Sequence, residues 1–181
     1  MNNDITHTTL LLVRHGETVD NARQIMQGQT QGQLTPHGVE QAQEVALRMA
    51  GTHIDAFVSS DLKRAADTCA IIAAPHLGGP ERAYNAIVQT PLLRERDWGS
   101  FTGRHIPELK YAKWTDDIET TEQMRQRATL FIEMIRRQYP GMTVLAVGHG
   151  IINKVIQSVF YNKPMQEIPR MDNAEVRTLV L

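Results

Sequence analysis

Apolar and polar positions along this chain fall into two rhythms. Short unbroken runs of Leu and Val at Thr9–Val13 and Thr143–Val147 read as buried strands. Ala56–Ser59 and Val176–Val180 read as two more. Between them, apolar residues recur at helical spacing. Val39, Ala42, Val45, Ala46 and Met49 follow Thr35-Pro36, a cap and a first-turn proline whose missing N–H costs little. Leu62, Ala65, Ala66, Cys69, Ala70 and Ala73 form the stripe of a helix over Asp61–Ala74, expected to stop at Pro75. Met124, Ala128, Phe131, Ile132 and Ile135 do the same for Thr121–Tyr139, ended by Pro140-Gly141. A further helix is expected over Ile151–Phe160, and the stretch from Pro75 to about Thr120 reads as loop-rich. Strand–helix alternation of this kind argues for an α/β fold: a single-domain, three-layer α/β/α sandwich on a mostly parallel central sheet.

The residues just past the two most apolar strands carry the chemistry. One strand ends in Arg14-His15-Gly16 and the other in Gly148-His149-Gly150. Parallel strands deliver their C-terminal residues to one sheet edge, where ligands bind in open α/β folds. His15 and His149 should therefore meet in one pocket, although 134 positions separate them. The neighbouring glycines permit close approach of backbone and ligand, and Arg14 adds a permanent positive charge. Such a pocket suits a doubly negative tetrahedral anion, and phosphate is the natural candidate. A metal reading is weaker, because Arg14 adjoins His15 and neither HxH nor HExxH spacing occurs.

Bulk properties narrow the class. The chain has 181 residues, enough for one domain with a sizeable core. Its 19 basic and 20 acidic side chains give a net charge of −1, with no basic block longer than a pair such as Arg136-Arg137. A broad nucleic-acid footprint is thus disfavoured. No apolar stretch approaches a membrane span, the polar start lacks a signal-peptide core, and one cysteine excludes an internal disulfide. A cytoplasmic protein is expected. The Asp172–Glu175 turn into the last strand leaves an edge open to pairing, which allows a homodimer without requiring one.

Five motifs in chain order resemble the histidine phosphatase (phosphoglycerate mutase-like) superfamily, in its small-phosphatase branch. They are Arg14-His15-Gly16-Glu17-Thr18 with Asn21; Met26-Gln27-Gly28 followed by Leu34-Thr35; Ser59-Ser60-Asp61-Leu62-Lys63-Arg64-Ala65 with Thr68; Leu93-Arg94-Glu95-Arg96-Asp97-Trp98-Gly99 with Gly103; and Gly148-His149-Gly150. The resemblance implies that His15 is a nucleophile forming a phosphohistidine, clamped by Arg14, Arg64 and His149. It makes Glu95 the general acid and then base, while Asn21, Gln27, Gly28 and Gly150 contact the phosphoryl group. It implies a phosphoric monoester hydrolase of the histidine acid type, acting on a small phosphorylated metabolite with no metal or other cofactor. An attacking imidazole needs an acceptor on its other nitrogen, for which a backbone carbonyl would serve.

Competing readings accompany these. Glu17 and Asp97 are rival carboxylates for the acid role, Glu17 being the better structural candidate. Cys69 is expected to fill the core. Gln29-Thr30-Gln31-Gly32-Gln33 stands where many relatives carry an aspartate, altering substrate fit or covering the helix start. Residues 96–120 hold Trp98, Phe101, Tyr111 and Trp114, four of ten aromatics, beside Arg104, Lys110 and Lys113. They read as a lid-like insertion or as a satellite cluster pinning a loop. Only 25 positions fill this gap, considerably fewer than in cofactor-dependent phosphoglycerate mutases, which favours hydrolysis over mutase activity. A phosphoprotein phosphatase and a non-catalytic phosphate-binding module are the remaining alternatives.

Overall fold

The computed structural model describes residues 7–181. Strand β1 (Thr9–Arg14) lies between β4 (Thr143–Gly148) and β5 (Val176–Val180), and β2 (Ala56–Ser60) lies between β4 and the short β3 (Val88–Thr90). The sheet order is β3-β2-β4-β1-β5, parallel throughout except for β5, which runs antiparallel along β1 at one edge. The register pairs Arg14 with Gly148. The two strand-end histidines therefore leave the sheet side by side.

Alternation along β1 splits the core into two layers. Leu11 and Val13, with Phe57, Leu145 and Val147, pack against α2 (Pro36–Met49), α3 (Lys63–Leu77) and α4 (Pro80–Ala86). Leu10 and Leu12, with Val58, Val144 and Ala146, pack against α5 (Thr121–Gln138) and α6 (Gly150–Tyr161). Helices on both faces of the sheet give the expected three-layer sandwich. Each fully buried Leu or Ile contributes about 1.5–3 kcal/mol from apolar burial. Cys69 is also wholly buried, donating only to the Val58 carbonyl, and burial pushes its thiol upward in pKa. It fills the core, as its position on the stripe implies.

Three expectations are corrected. Helix α3 begins at Lys63 rather than Asp61, because Leu62 stays extended and its N–H turns back to Ser60 Oγ. It also runs past Pro75 to Leu77. Pro75 sits exposed in the last turn, and the helix closes at Gly78, whose φ of +77° lets Gly79 N–H reach the Ala74 carbonyl. The stretch from Pro75 to Thr120 is not uniformly loop: it contains α4, β3 and three single-turn 3-10 segments. Pro80 at the first position was the start signal of α4, whereas β3 is three residues long and too short to show alternation. A one-turn helix, α1 (Val19–Ala22), also comes after the first motif, closed by a capping box between Thr18 and Asn21.

Candidate active site

Arg14, His15, Asn21, Gln27, Gly28, Arg64, Glu95 and Gly150 all line one cavity of about 250 Å³ at the C-terminal edge of the parallel strands. His149 stands directly behind, fully buried, its ring centroid 5.1 Å from that of His15 in an edge-on arrangement. All nine expected site residues thus converge.

The backbone decides the chemistry of His15. Its Nδ1 lies 2.7 Å from the Gly16 carbonyl oxygen, which can only accept, so Nδ1 carries the proton. Nε2, left unprotonated, has no protein partner among the described residues and is the atom available to attack. The main chain is held in turn: His15 N–H donates to the Gly148 carbonyl, Asn173 Nδ2 donates to the His15 carbonyl, and Gly16 N–H donates to Thr68 Oγ1. Burial first, then the charge of Arg64, holds His15 well below its usual pKa, with Arg14 adding to the effect against the opposing Gly16 hydrogen bond. Burial and Arg64 depress His149 as well. Both rings are neutral at physiological pH.

Gly16 is glycine for a different reason from the one its position beside a ligand suggests. A Cβ there would strike the backbone of Gly38 at the start of α2, and a Cβ on Gly38 would strike the backbone of Glu17. Two glycines let the His15 loop and α2 touch main chain to main chain. Gly150 does face the cavity: a Cβ there would lie 3.5 Å from Arg14 Nε and 3.7 Å from Glu95 Oε2.

The cations are anchored on carbonyls. Arg14 Nη1 donates to the Met171 carbonyl, leaving Nε buried without a partner. Arg64 donates to the carbonyls of Gly28, at 2.8 Å, and of Thr30, and its Nε is likewise unpartnered. Burial lowers its pKa to about 10, so it stays charged at neutral pH. The glutamine-rich loop therefore orients Arg64 through its backbone. It also covers a helix start, that of α3, since the Gln31 carbonyl and Oε1 accept from Arg64 N–H and Lys63 N–H. Both ring nitrogens of His149 are buried without partners too. Buried polar atoms are costly unless satisfied, and the orphaned N–H donors of Arg14, Arg64 and the one protonated nitrogen of His149 around this cavity suit an anion. Asn21 Oδ1 is taken by Thr18 N–H in the capping box, which leaves its Nδ2 as a donor at the cavity.

Glu95 is the carboxylate at the site. It accepts from the N–H groups of Arg96, Ile151 and Ile152, the last two at the N-terminus of α6. The rivals lie elsewhere: Glu17 accepts from Thr35 Oγ1 at the α2 cap, and Asp97 caps Gly99.

Sequence reasoning missed several contributors. Arg127 on α5 donates to the carbonyls of Leu92 and Arg94 and forms a bidentate pair with Glu119 at 2.7 and 2.8 Å, gripping the segment that bears Glu95. Asn153 Nδ2 ties α6 to the Val13 carbonyl at the end of β1. Lys154 and Arg170 line the cavity, whereas Arg104, Lys110 and Lys113 do not. Nor do Tyr111 and Trp114, which are 89% and 56% exposed. Trp98 both lines the cavity and packs on the satellite cluster of Phe101, Leu109 and Ile118. The guanidinium of Arg96 lies 4.9 Å from the Trp98 ring centroid and 4.5 Å from that of Trp114. One short signal was available: Lys154 lies one helical turn beyond Gly150, on the same face of α6.

Comparison with known proteins agrees with this fold. The family model described as "Histidine phosphatase superfamily (branch 1)" matches residues 10–181. The chain is 32% identical over 172 residues to the uncharacterized phosphatase PhoE of Bacillus subtilis, covering 92% of this chain and 85% of that protein. It is 33% identical to a metal-independent phosphoserine phosphatase of Arabidopsis thaliana, covering 82% and 67%. The solved structure of Bacillus stearothermophilus YhfR superposes with a TM-score of 0.84 at 28% identity, covering 94% of this chain and 90% of that one.

Proposed function

The chain belongs to branch 1 of the histidine phosphatase superfamily, and from that premise we propose that it is a metal-independent phosphatase of small phosphomonoesters working through a phosphohistidine. The observation that carries the mechanism is the Nδ1 contact with Gly16, which leaves His15 Nε2 unprotonated and lining a cavity ringed by Arg14, Arg64 and His149.

Nε2 attacks phosphorus as the P–O ester bond breaks, and Glu95 gives its proton to the departing alkoxide oxygen. Arg14 and Arg64 neutralise charge on the equatorial oxygens, and the neutral ring of His149 donates to one of them. Asn21 and Gln27 orient the phosphoryl group. Water then attacks the phosphohistidine, Glu95 takes its proton, and phosphate leaves with His15 restored. The depressed pKa of His15 keeps the nucleophile neutral in mild acid, which supports the acid-type assignment. A cavity of this size, below the usual range for drug-sized ligands, favours a small metabolite over a protein substrate. A cytoplasmic homodimer joined through the β5 edge completes this reading, supported by the edge position of that strand and the single buried cysteine. Sedimentation checks the dimer.

The decisive assay is phosphate release from p-nitrophenyl phosphate in EDTA, with rapid acid and base quenches to characterise any phosphoenzyme. Wild type is expected to turn over and to carry a base-stable, acid-labile phosphoryl group. His15→Ala should lose on the order of 10³-fold or more of the rate, as nucleophile deletions do. Turnover that survives loss of His15, or that requires a metal, would overturn the proposal.

A further inference from the structure

Four cations line the catalytic cavity, Arg14, Arg64, Lys154 and Arg170, together with Glu95. With both histidines neutral and Glu95 holding the proton it gives to the leaving oxygen, the charge is +4. A phosphomonoester dianion cancels two of these. Arg14 and Arg64 already surround the position where the phosphoryl group belongs, so the surplus resides on Lys154 and Arg170. Neither side chain makes a hydrogen bond or ion pair with any described residue, whereas Arg94, Arg127 and Arg177 are each paired with an acid. Asp172 and Glu175 lie near enough to act on Arg14, but neither lines the cavity, and Glu175 is held 2.7 Å from Arg177 Nε.

The two cations reach the cavity from neighbouring elements. Lys154 is one turn along α6 from Gly150, which abuts Arg14 and Glu95. Arg170 precedes Met171, whose carbonyl accepts from Arg14, and it is close enough to depress Arg14 through charge repulsion. Ile25, Met26, Trp98 and Ile106 supply an apolar wall from other segments, and Asn21 and Gln27 are the polar side chains in the rest of the lining. The surface is thus divided into a cationic shoulder next to the phosphoryl site and an apolar wall.

We infer that Lys154 and Arg170 form a subsite for a second anionic group on the substrate, and that this group is a carboxylate a few bonds from the phosphoester. A carboxylate pairs with this cationic shoulder and fits beside a phosphoryl group in about 250 Å³. A second phosphate would bring more bulk. The inference rests on the phosphatase reading above and deepens it.

The test uses matched pairs. Glycerol 3-phosphate and 3-phosphoglycerate differ only by a hydroxymethyl group against a carboxylate; glucose 6-phosphate and glucose 1,6-bisphosphate probe a second phosphate. kcat/KM for 3-phosphoglycerate should exceed that for glycerol 3-phosphate by tenfold or more, and the bisphosphate pair should show the smaller ratio. Lys154→Gln and Arg170→Gln should each raise KM for 3-phosphoglycerate several-fold more than for glycerol 3-phosphate, and the double variant should bring the ratio close to one. A wild-type ratio near one, a ratio untouched by the variants, or a preference confined to the bisphosphate overturns the inference. Binding of the corresponding non-hydrolysable phosphonates to the wild-type chain reads the same discrimination without turnover. A failed phosphatase assay is therefore distinguishable from a failed subsite.

Discussion

At His15 the main chain performs the task that a carboxylate performs in many catalytic histidines. The Gly16 carbonyl fixes the tautomer, while burial and Arg64 keep the ring neutral. This has a defined consequence for pH. In the unfolded chain both histidines titrate near their ordinary value of 6.5; in the folded chain they do so well below it. Below 6.5 the unfolded state binds more protons, so stability falls with acid and is fully present above that pH. The slope reaches at most about 2.7 kcal/mol per pH unit for the pair. Urea unfolding at pH 7 and pH 5 should show this loss, and His149→Asn should remove about half of it. A flat profile would show that the rings are not neutral and buried. Packing at Gly16 gives a second test. Gly16→Ala forces the His15 loop away from Gly38 and should cost about 1–3 kcal/mol in urea unfolding, with a marked drop in kcat. All nine candidate residues were legible because they come just after strands or lie in ordered motifs. The Nδ1 partner and the anchoring of Arg64 were not, because both depend on carbonyl directions that only the folded loops define.

Elements explain why Glu95 points where it does. The segment from Leu92 to Asp97 has little regular structure of its own and is held from outside. Arg127 of α5 takes the Leu92 and Arg94 carbonyls, Glu119 takes Asp97 N–H, and Arg94 pairs with Asp61 at the β2–α3 corner. On the proposed mechanism Arg127 acts through Glu95, and its loss should be felt where protonation of the leaving oxygen matters. Arg127→Met should lower kcat/KM on alkyl phosphates by tenfold or more and on p-nitrophenyl phosphate much less, because nitrophenolate leaves without an acid. Arg127→Lys should recover part of the loss. Equal loss on both substrates would mean that the role is only structural. Helical periodicity made α2, α5 and α6 readable to within a residue or two. It failed across Pro75 because proline was read as a stop, when a last-turn proline gives up one hydrogen bond in a helix already packed through Ala65, Cys69 and Ile72. Arg127 was invisible for a related reason: on an exposed-looking helix face, a cation serving a site has the same pattern as a solvated one.

For the molecule as a whole, the open question is where the phosphoryl group goes after it reaches His15. A mutase must hold a bisphosphorylated intermediate and keep water away until the second transfer, which requires a cover over the cavity. Here the covering stretch is residues 96–120, and only Trp98 and Ile106 of it line the cavity. Its other aromatics serve a different purpose: Phe101 is buried in the satellite cluster with Leu109 and Ile118, and Trp114 turns outward beside Arg96. So thin a cover admits water, and hydrolysis should win the partition of the phosphoenzyme. Phosphorus NMR of the chain with 3-phosphoglycerate should show inorganic phosphate accumulating with no 2-phosphoglycerate at comparable rate, and trace bisphosphoglycerate should not change the products. Trp98→Ala, which opens the cavity further, should weaken substrate binding without creating isomerase activity. Isomer formed faster than phosphate would mean that two side chains suffice to exclude water. The short segment would then be a complete lid, and the small cavity beneath it a transfer chamber.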